Sequence, residues 1–147
     1  MLIKDLLNHK GNSVFTIPEH ASTLDALKTL NEKHVGSLIV INPNGEVAGI
    51  LSERDILAHF QQSVRGVPVT DIMTPRDKLI ISHGDDSIDY AMSIMTEKRI
   101  RHLPVFEDDR LVGLVSIGDV MKAVSKDLEF ESKLLNQYIT GSYTIVP

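Results

Sequence analysis

The chain has 147 residues, of which 42% are hydrophobic, and a formal net charge of −5. That size and composition suit one compact domain, or two small repeats that share a core, and leave no ground for disorder. The acidic, interspersed charge argues against a nucleic-acid backbone or an anionic membrane as partner, and the lack of cysteine excludes disulfides, thiolate catalysis and cysteine-bound metal. No apolar run approaches a membrane span, and Met1-Leu2-Ile3-Lys4-Asp5 lacks the basic-then-apolar pattern of a secretory signal, so the expected location is cytoplasmic.

Taken in order, Ile3-Lys4-Asp5-Leu6-Leu7 has a counterpart in Val69-Thr70-Asp71-Ile72-Met73, and each leads into a β-rich segment, at residues 13–17 and 78–82. Residues 22–34 then carry Leu24, Ala26, Leu27, Leu30 and Val35 at helical spacing, opposite Lys28, Asn31, Glu32 and Lys33. Residues 87–99 repeat the pattern with Ile88, Ala91, Met92, Ile94 and Met95. Both helices run into apolar strands, at 37–41 and 102–106, followed by the turns Asn42-Pro43-Asn44-Gly45 and Glu107-Asp108-Asp109-Arg110. Return strands at 46–51 and 111–115 lead to closing helices bearing Ile56, Leu57 and Phe60, or Val120, Met121, Ala123 and Val124.

The predicted fold is therefore α+β, with two β-α-β-β-α repeats at 1–62 and 69–125 joined by a linker at 63–68 that Gly66 and Pro68 mark. Units of that size are near the lower limit for folding alone, so the two should share a core. Residues 126–147 are predicted as an amphipathic C-terminal helix and tail without a twin, with Leu128, Phe130, Leu134, Leu135 and Tyr138 covering the chain's own core or a partner subunit.

The most informative stretch occurs twice: Gly49-Ile50-Leu51-Ser52-Glu53-Arg54-Asp55 and Gly113-Leu114-Val115-Ser116-Ile117-Gly118-Asp119. Each reads as strand, turn and helix start. Ser52 and Ser116 can cap the helices, with Asp55 and Asp119 completing a capping box. The same helix ends also suit a sugar phosphate, because free N–H groups meet phosphate while a carboxylate accepts hydrogen bonds from ribose hydroxyls. An enzyme reading finds no thiol, no G-x-S-x-G elbow and no phosphate-binding G-x-x-x-x-G-K-[ST] loop, so no catalytic residue is assigned. His9, His20, His34, His59 and His83 show no metal-ligand spacing, and no metal is expected.

The tandem units, the Asp71-Ile72-Met73-Thr74-Pro75 stretch, Arg101-His102-Leu103-Pro104-Val105 and the two Gly-apolar-apolar-Ser-x-x-Asp stretches together resemble a CBS-domain pair, the module named after cystathionine β-synthase. The chain is similar to the stand-alone signal-transduction type, over residues 3–124. The resemblance implies two repeats about a pseudo-twofold axis and a non-catalytic sensor of adenosine nucleotides with no required cofactor. AMP comes first among the ligands it implies, with ADP, ATP, NAD and S-adenosylmethionine as alternatives. Asp55 and Asp119 would then hold ribose, with Ser52 and Ser116 beside ribose or phosphate. Thr16-Ile17-Pro18 and Ile81-Ser82-His83 would line adenine, and Arg101 and His102, ahead of Leu103 and Pro104, would face the phosphates. Gly36 and Ser37 stand at the positions of Arg101 and His102 in the first repeat, where Arg54 partly compensates. The resemblance also implies an unidentified regulated protein and a homodimer through helical faces that include Leu27, Leu30, Met92 and Met95. The rival reading is a structural dimerisation scaffold with vestigial pockets.

Overall fold

The computed structural model describes residues 1–59 and 66–140. Phe60, residues 63–65 of the predicted linker, the tail beyond 140 and the side chains of Phe130 and Tyr138 lie outside the described residues. The first repeat supplies α1 (Ile3–Lys10), β1 (Thr16–Pro18), α2 (Thr23–Lys33), β2 (Ser37–Ile41), β3 (Val47–Ser52) and α3 (Glu53–Ala58). The second supplies β4 (Thr74–Pro75), α4 (Ile88–Lys98), β5 (His102–Glu107), β6 (Arg110–Ser116) and α5 (Ile117–Thr140). Strands β1-β2-β3-β4 form one sheet, β1 parallel to β2 and the other pairs antiparallel, while β5 and β6 form an antiparallel pair.

The helices of the two repeats begin and end alike. Ser22 and Ser87 accept the N–H of Asp25 and Tyr90 at the starts of α2 and α4, and His34 and Arg99 end them in left-handed conformations. The opening segments do not match as expected. The chain is helical from Ile3 to Lys10, but at the equivalent place a single turn of 3₁₀ helix at Val69–Asp71 gives way to β4. Pro75 explains this, because a proline keeps the residue before it out of the helical region, and Thr74 is extended and paired with Ile50.

The predicted strand at 78–82 also shrinks, to one bridge between Ser82 and Val105. In the first repeat the Ile39 N–H donates to the Phe15 carbonyl at 3.0 Å and continues the ladder. Pro104 occupies the matching place in β5 and has no N–H to give.

Instead of one shared core there are two, and the opening segments are exchanged between them. Ile3, Leu6 and Leu7 of α1 are buried among Ile88, Ala91, Met95, Leu103, Val115 and Val120 of the second repeat. Val69 and Ile72 are buried among Ile17, Leu30, Leu38, Leu51 and Ile56 of the first. Backbone bonds carry the exchange, from Ile3 N–H to the Asp86 carbonyl at 2.9 Å and from Val69 N–H to the Ala21 carbonyl at 3.0 Å. Each repeat completes the other, which is why neither half is a self-sufficient unit.

Two further expectations are corrected. Leu30 and Met95 are buried within these cores and so cannot form the predicted dimer face, while Leu27 and Met92 pack against the cores and remain partly exposed. The exposed large apolar residues among those described include Leu57 on α3, Tyr90 on α4 and Met121, Leu128, Leu134 and Leu135 on α5. Nor is the C-terminal helix a separate element: α5 runs unbroken for 24 residues, its first turns buried through Val120 and Ala123 and its described side chains from Ser125 to Asn136 exposed.

Candidate functional site

The first repeated stretch builds one wall of a cavity of about 400 Å³ between the repeats. Ser52 ends β3, and its hydroxyl accepts the Asp55 N–H at 3.2 Å. Asp55 Oδ2 in return accepts the Ser52 N–H at 2.9 Å and its hydroxyl at 3.0 Å. The capping box thus forms, and it places Asp55 in the lining of the cavity. No cation pairs with Asp55 among the described residues.

The opposite wall comes from the second repeat, through Lys78, Leu79 and Ile80 before the Ser82 bridge and Arg99 to His102 ahead of β5. Ile50, Ile80, Ile100 and Pro104 give the cavity apolar surface, and Arg54, Lys78, Arg99 and Arg101 give it positive charge. None of these four cations forms an ion pair among the described residues; Arg54 donates to the Arg99 carbonyl at 3.3 Å. Four cations, the carboxylates of Glu53 and Asp55 and an apolar wall leave the cavity with an excess of positive charge, hydrogen-bond acceptors and apolar surface.

His102 stands where the repeats meet. Its Nε2 comes so near Gly36 that a Cβ on that glycine would lie 3.4 Å away, so a small residue at 36 gives the ring its place. Burial pushes the imidazole below its ordinary pKa, Lys10 and Arg101 push the same way, and the carboxylates of Glu53 and Asp119 oppose them. The ring is neutral at pH 7 and offers one donor and one acceptor.

Of the residues expected at the site, Ser52, Arg54, Asp55, Arg101, His102 and Pro104 are brought together in this cavity. The cations of the second repeat thus meet the carboxylate of the first. The expected adenine walls lie elsewhere: the chain meets the cavity at 78–80, not at Ile81-Ser82-His83. Ser82 is fully buried and donates to Asp86, and exposed His83 lies near the same carboxylate. Ile17 and Leu103 are core residues, Thr16 and Pro18 face outward from β1, and Ser37 is buried in β2 opposite Ser52. Ser116 and Asp119 repeat the capping box outside this cavity, and Lys10 pairs with Asp119 at 2.6 Å. Burial alone would raise the Asp119 pKa, but Lys10 and the Ser116 donors outweigh it and hold the carboxyl below its ordinary value.

Sequence reasoning passed over Lys78 and Arg99. Arg99 had a signal, since Arg99-Ile100-Arg101 places two arginines in one short connection, whereas Lys78 reaches the site only through the path that Pro75 imposes.

The family model of the CBS domain matches residues 3–62 and 69–126. The chain is 37% identical over 150 residues to the CBS domain-containing protein CBSX3, mitochondrial, of Arabidopsis thaliana, covering 96% of this chain and 73% of that one. Two longer curated relatives are spanned to only 42% and 34% of their length. Among solved structures, the CBS-domain protein ATU1752 of Agrobacterium tumefaciens superposes with a TM-score of 0.79 at 36% identity, over 84% of this chain and 98% of the other. The CBS domain pair of protein MJ0100, in complex with 5-methylthioadenosine and S-adenosyl-L-methionine, superposes with a TM-score of 0.72 at 25% identity, over 86% and 98%.

Proposed function

Because this chain belongs to the CBS-domain family, we propose that it is a non-catalytic regulatory module whose inter-repeat cavity takes an adenosine nucleotide and signals the occupancy to a partner protein. The observation that carries this reading is the cavity itself, where unpaired Arg54, Lys78, Arg99 and Arg101 surround unpaired Asp55. Asp55 accepts the ribose hydroxyls, the cations take the phosphate, and the apolar wall takes the base. The MJ0100 complexes support an adenosine ligand in this fold. The positive charge here favours AMP, ADP, ATP or NAD over the cationic sulfonium of S-adenosylmethionine. A nucleotide that contacts both repeats shifts their arrangement only by its differential affinity for the two placements, and the cross-repeat composition of the cavity provides that difference.

Thermal unfolding tests the reading. At AMP one hundred times its dissociation constant the folded state gains about 2.7 kcal/mol, which for a chain of this size raises Tm by roughly 5–10 °C. No shift with AMP, ADP, ATP or NAD would favour the scaffold reading.

We further propose a closed homodimer through Leu57 and Met121, which occupy equivalent positions after the two repeated stretches and are 69% and 58% exposed. A patch duplicated by the repeats is suited to a twofold interface. Light scattering should give twice the chain mass at micromolar concentration, and Leu57→Glu with Met121→Glu should give the monomer mass. A monomeric wild type would remove this interface.

A further inference from the structure

The two Ser-x-x-Asp boxes have the same internal geometry and opposite surroundings. Asp119 Oδ2 accepts the Ser116 N–H at 2.9 Å, as Asp55 Oδ2 accepts the Ser52 N–H, yet Lys10 Nζ is 2.6 Å from Asp119 and donates to the Leu114 carbonyl at 2.8 Å. Both side chains of this pair are about two-thirds sheltered, at 32% and 28% exposure. Lys10 is the last residue of α1, and Ile3, Leu6 and Leu7 anchor that helix in the second core. Leu7 lies against Gly113, the glycine that begins the second repeated stretch. After the opening segment of the second repeat the matching cation is Arg76, and its guanidinium stacks on Phe106 with its carbon 4.4 Å from the ring centre and forms no ion pair with Asp55. One carboxylate is therefore free and the other is already satisfied by an ammonium with three donors.

We propose that Lys10 closes a second ligand site from within: it occupies the carboxylate that would accept a sugar's vicinal hydroxyls, so the chain keeps one open site and the end of α1 gates the other. The inference rests on the proposed nucleotide reading and adds stoichiometry and regulation to it. A ligand reaching Asp119 must displace the ammonium from both Asp119 and the Leu114 carbonyl. That movement loosens the last turn of a helix whose other residues form the second core, so occupancy of the gated site and seating of α1 are coupled.

Calorimetric titration of AMP into the full chain and into Lys10→Met, which keeps the aliphatic stem but not the charge, tests this. The wild type should bind one AMP per chain. Lys10→Met should bind two, the added event at least about tenfold tighter than any second binding to the wild type, and Lys10→Met with Asp119→Asn should return to one. Lys10→Gln, a second neutral variant, guards against a folding defect, and thermal unfolding without ligand monitors both. Two AMP per wild-type chain, or no added event in either Lys10 variant, would overturn the gate while leaving the open site intact. No binding to the wild type with one event in Lys10→Met that Asp119→Asn removes would overturn the open-site reading and uphold the gate; no binding to any of them overturns both.

Discussion

Gly49→Ala should lower the unfolding free energy by about 3 kcal/mol, the upper end of what overpacking costs, and Gly49→Val by more. An added Cβ would fall on the Thr74 carbonyl oxygen and 3.2 Å from the carbonyl carbon, with Met73 Sδ at 2.9 Å. Methionine can turn aside, but the carbonyl belongs to β4, which is held to β3 by the pairing of Gly49 with Pro75 and Ile50 with Thr74. Relief therefore requires opening the seam by which the second repeat's opening segment enters the first repeat's sheet. Gly113 is the control. Its added Cβ would come within 2.7 Å of Leu7, but only at the end of a leucine side chain that can change rotamer. Gly113→Ala should cost about 1 kcal/mol. Urea midpoints for the two variants check the difference, and equal losses would mean that the β3–β4 seam is not the rigid element. Because Thr74 also lines the cavity, Gly49→Ala should weaken AMP binding as well.

Arg101→Ala should weaken AMP far more than adenosine. A hydrogen bond to a charged group contributes about 1.5–3 kcal/mol, or one to two decades of affinity. Arg101 is exposed in the free chain, and solvent screening reduces such contacts, so the lower figure of about tenfold is expected. Adenosine carries no phosphate, and its affinity should change by less than about threefold. General damage to the cavity would weaken both ligands alike, so calorimetry with the two ligands on the same protein separates the causes. Equal losses, or none, would remove Arg101 from the phosphate position and leave Arg54, Lys78 and Arg99 as the candidates.

Much of the fold was legible because the repetition is written in local terms. Helix periodicity, serine caps, hairpin turns and the two Gly-apolar-apolar-Ser-x-x-Asp stretches depend on neighbours within a few residues, and all of them stand where the sequence placed them. The unequal halves were legible in principle as well. Pro75 and Pro104 have consequences that follow from φ and a missing N–H, and each accounts for one departure from the repeat. The unbroken α5 was not legible as one helix, since periodicity marks an apolar face and not whether two such faces join.

What the sequence by itself determined is the α+β repeat architecture, the capping boxes and the presence of Asp55, Arg101 and His102 as candidate ligand groups. What only the tertiary structure decided is their company. The exchange of opening segments puts Lys10 on Asp119 and leaves Asp55 free, and it brings Lys78, Arg99 and Arg101 across to the first repeat's carboxylate. The physical reason is that capping and periodicity are settled over a few residues. The charge a carboxylate meets depends instead on which chain segment, distant in sequence, fills the space beside it, and here burial of Ile3, Leu6, Leu7, Val69 and Ile72 settles that choice.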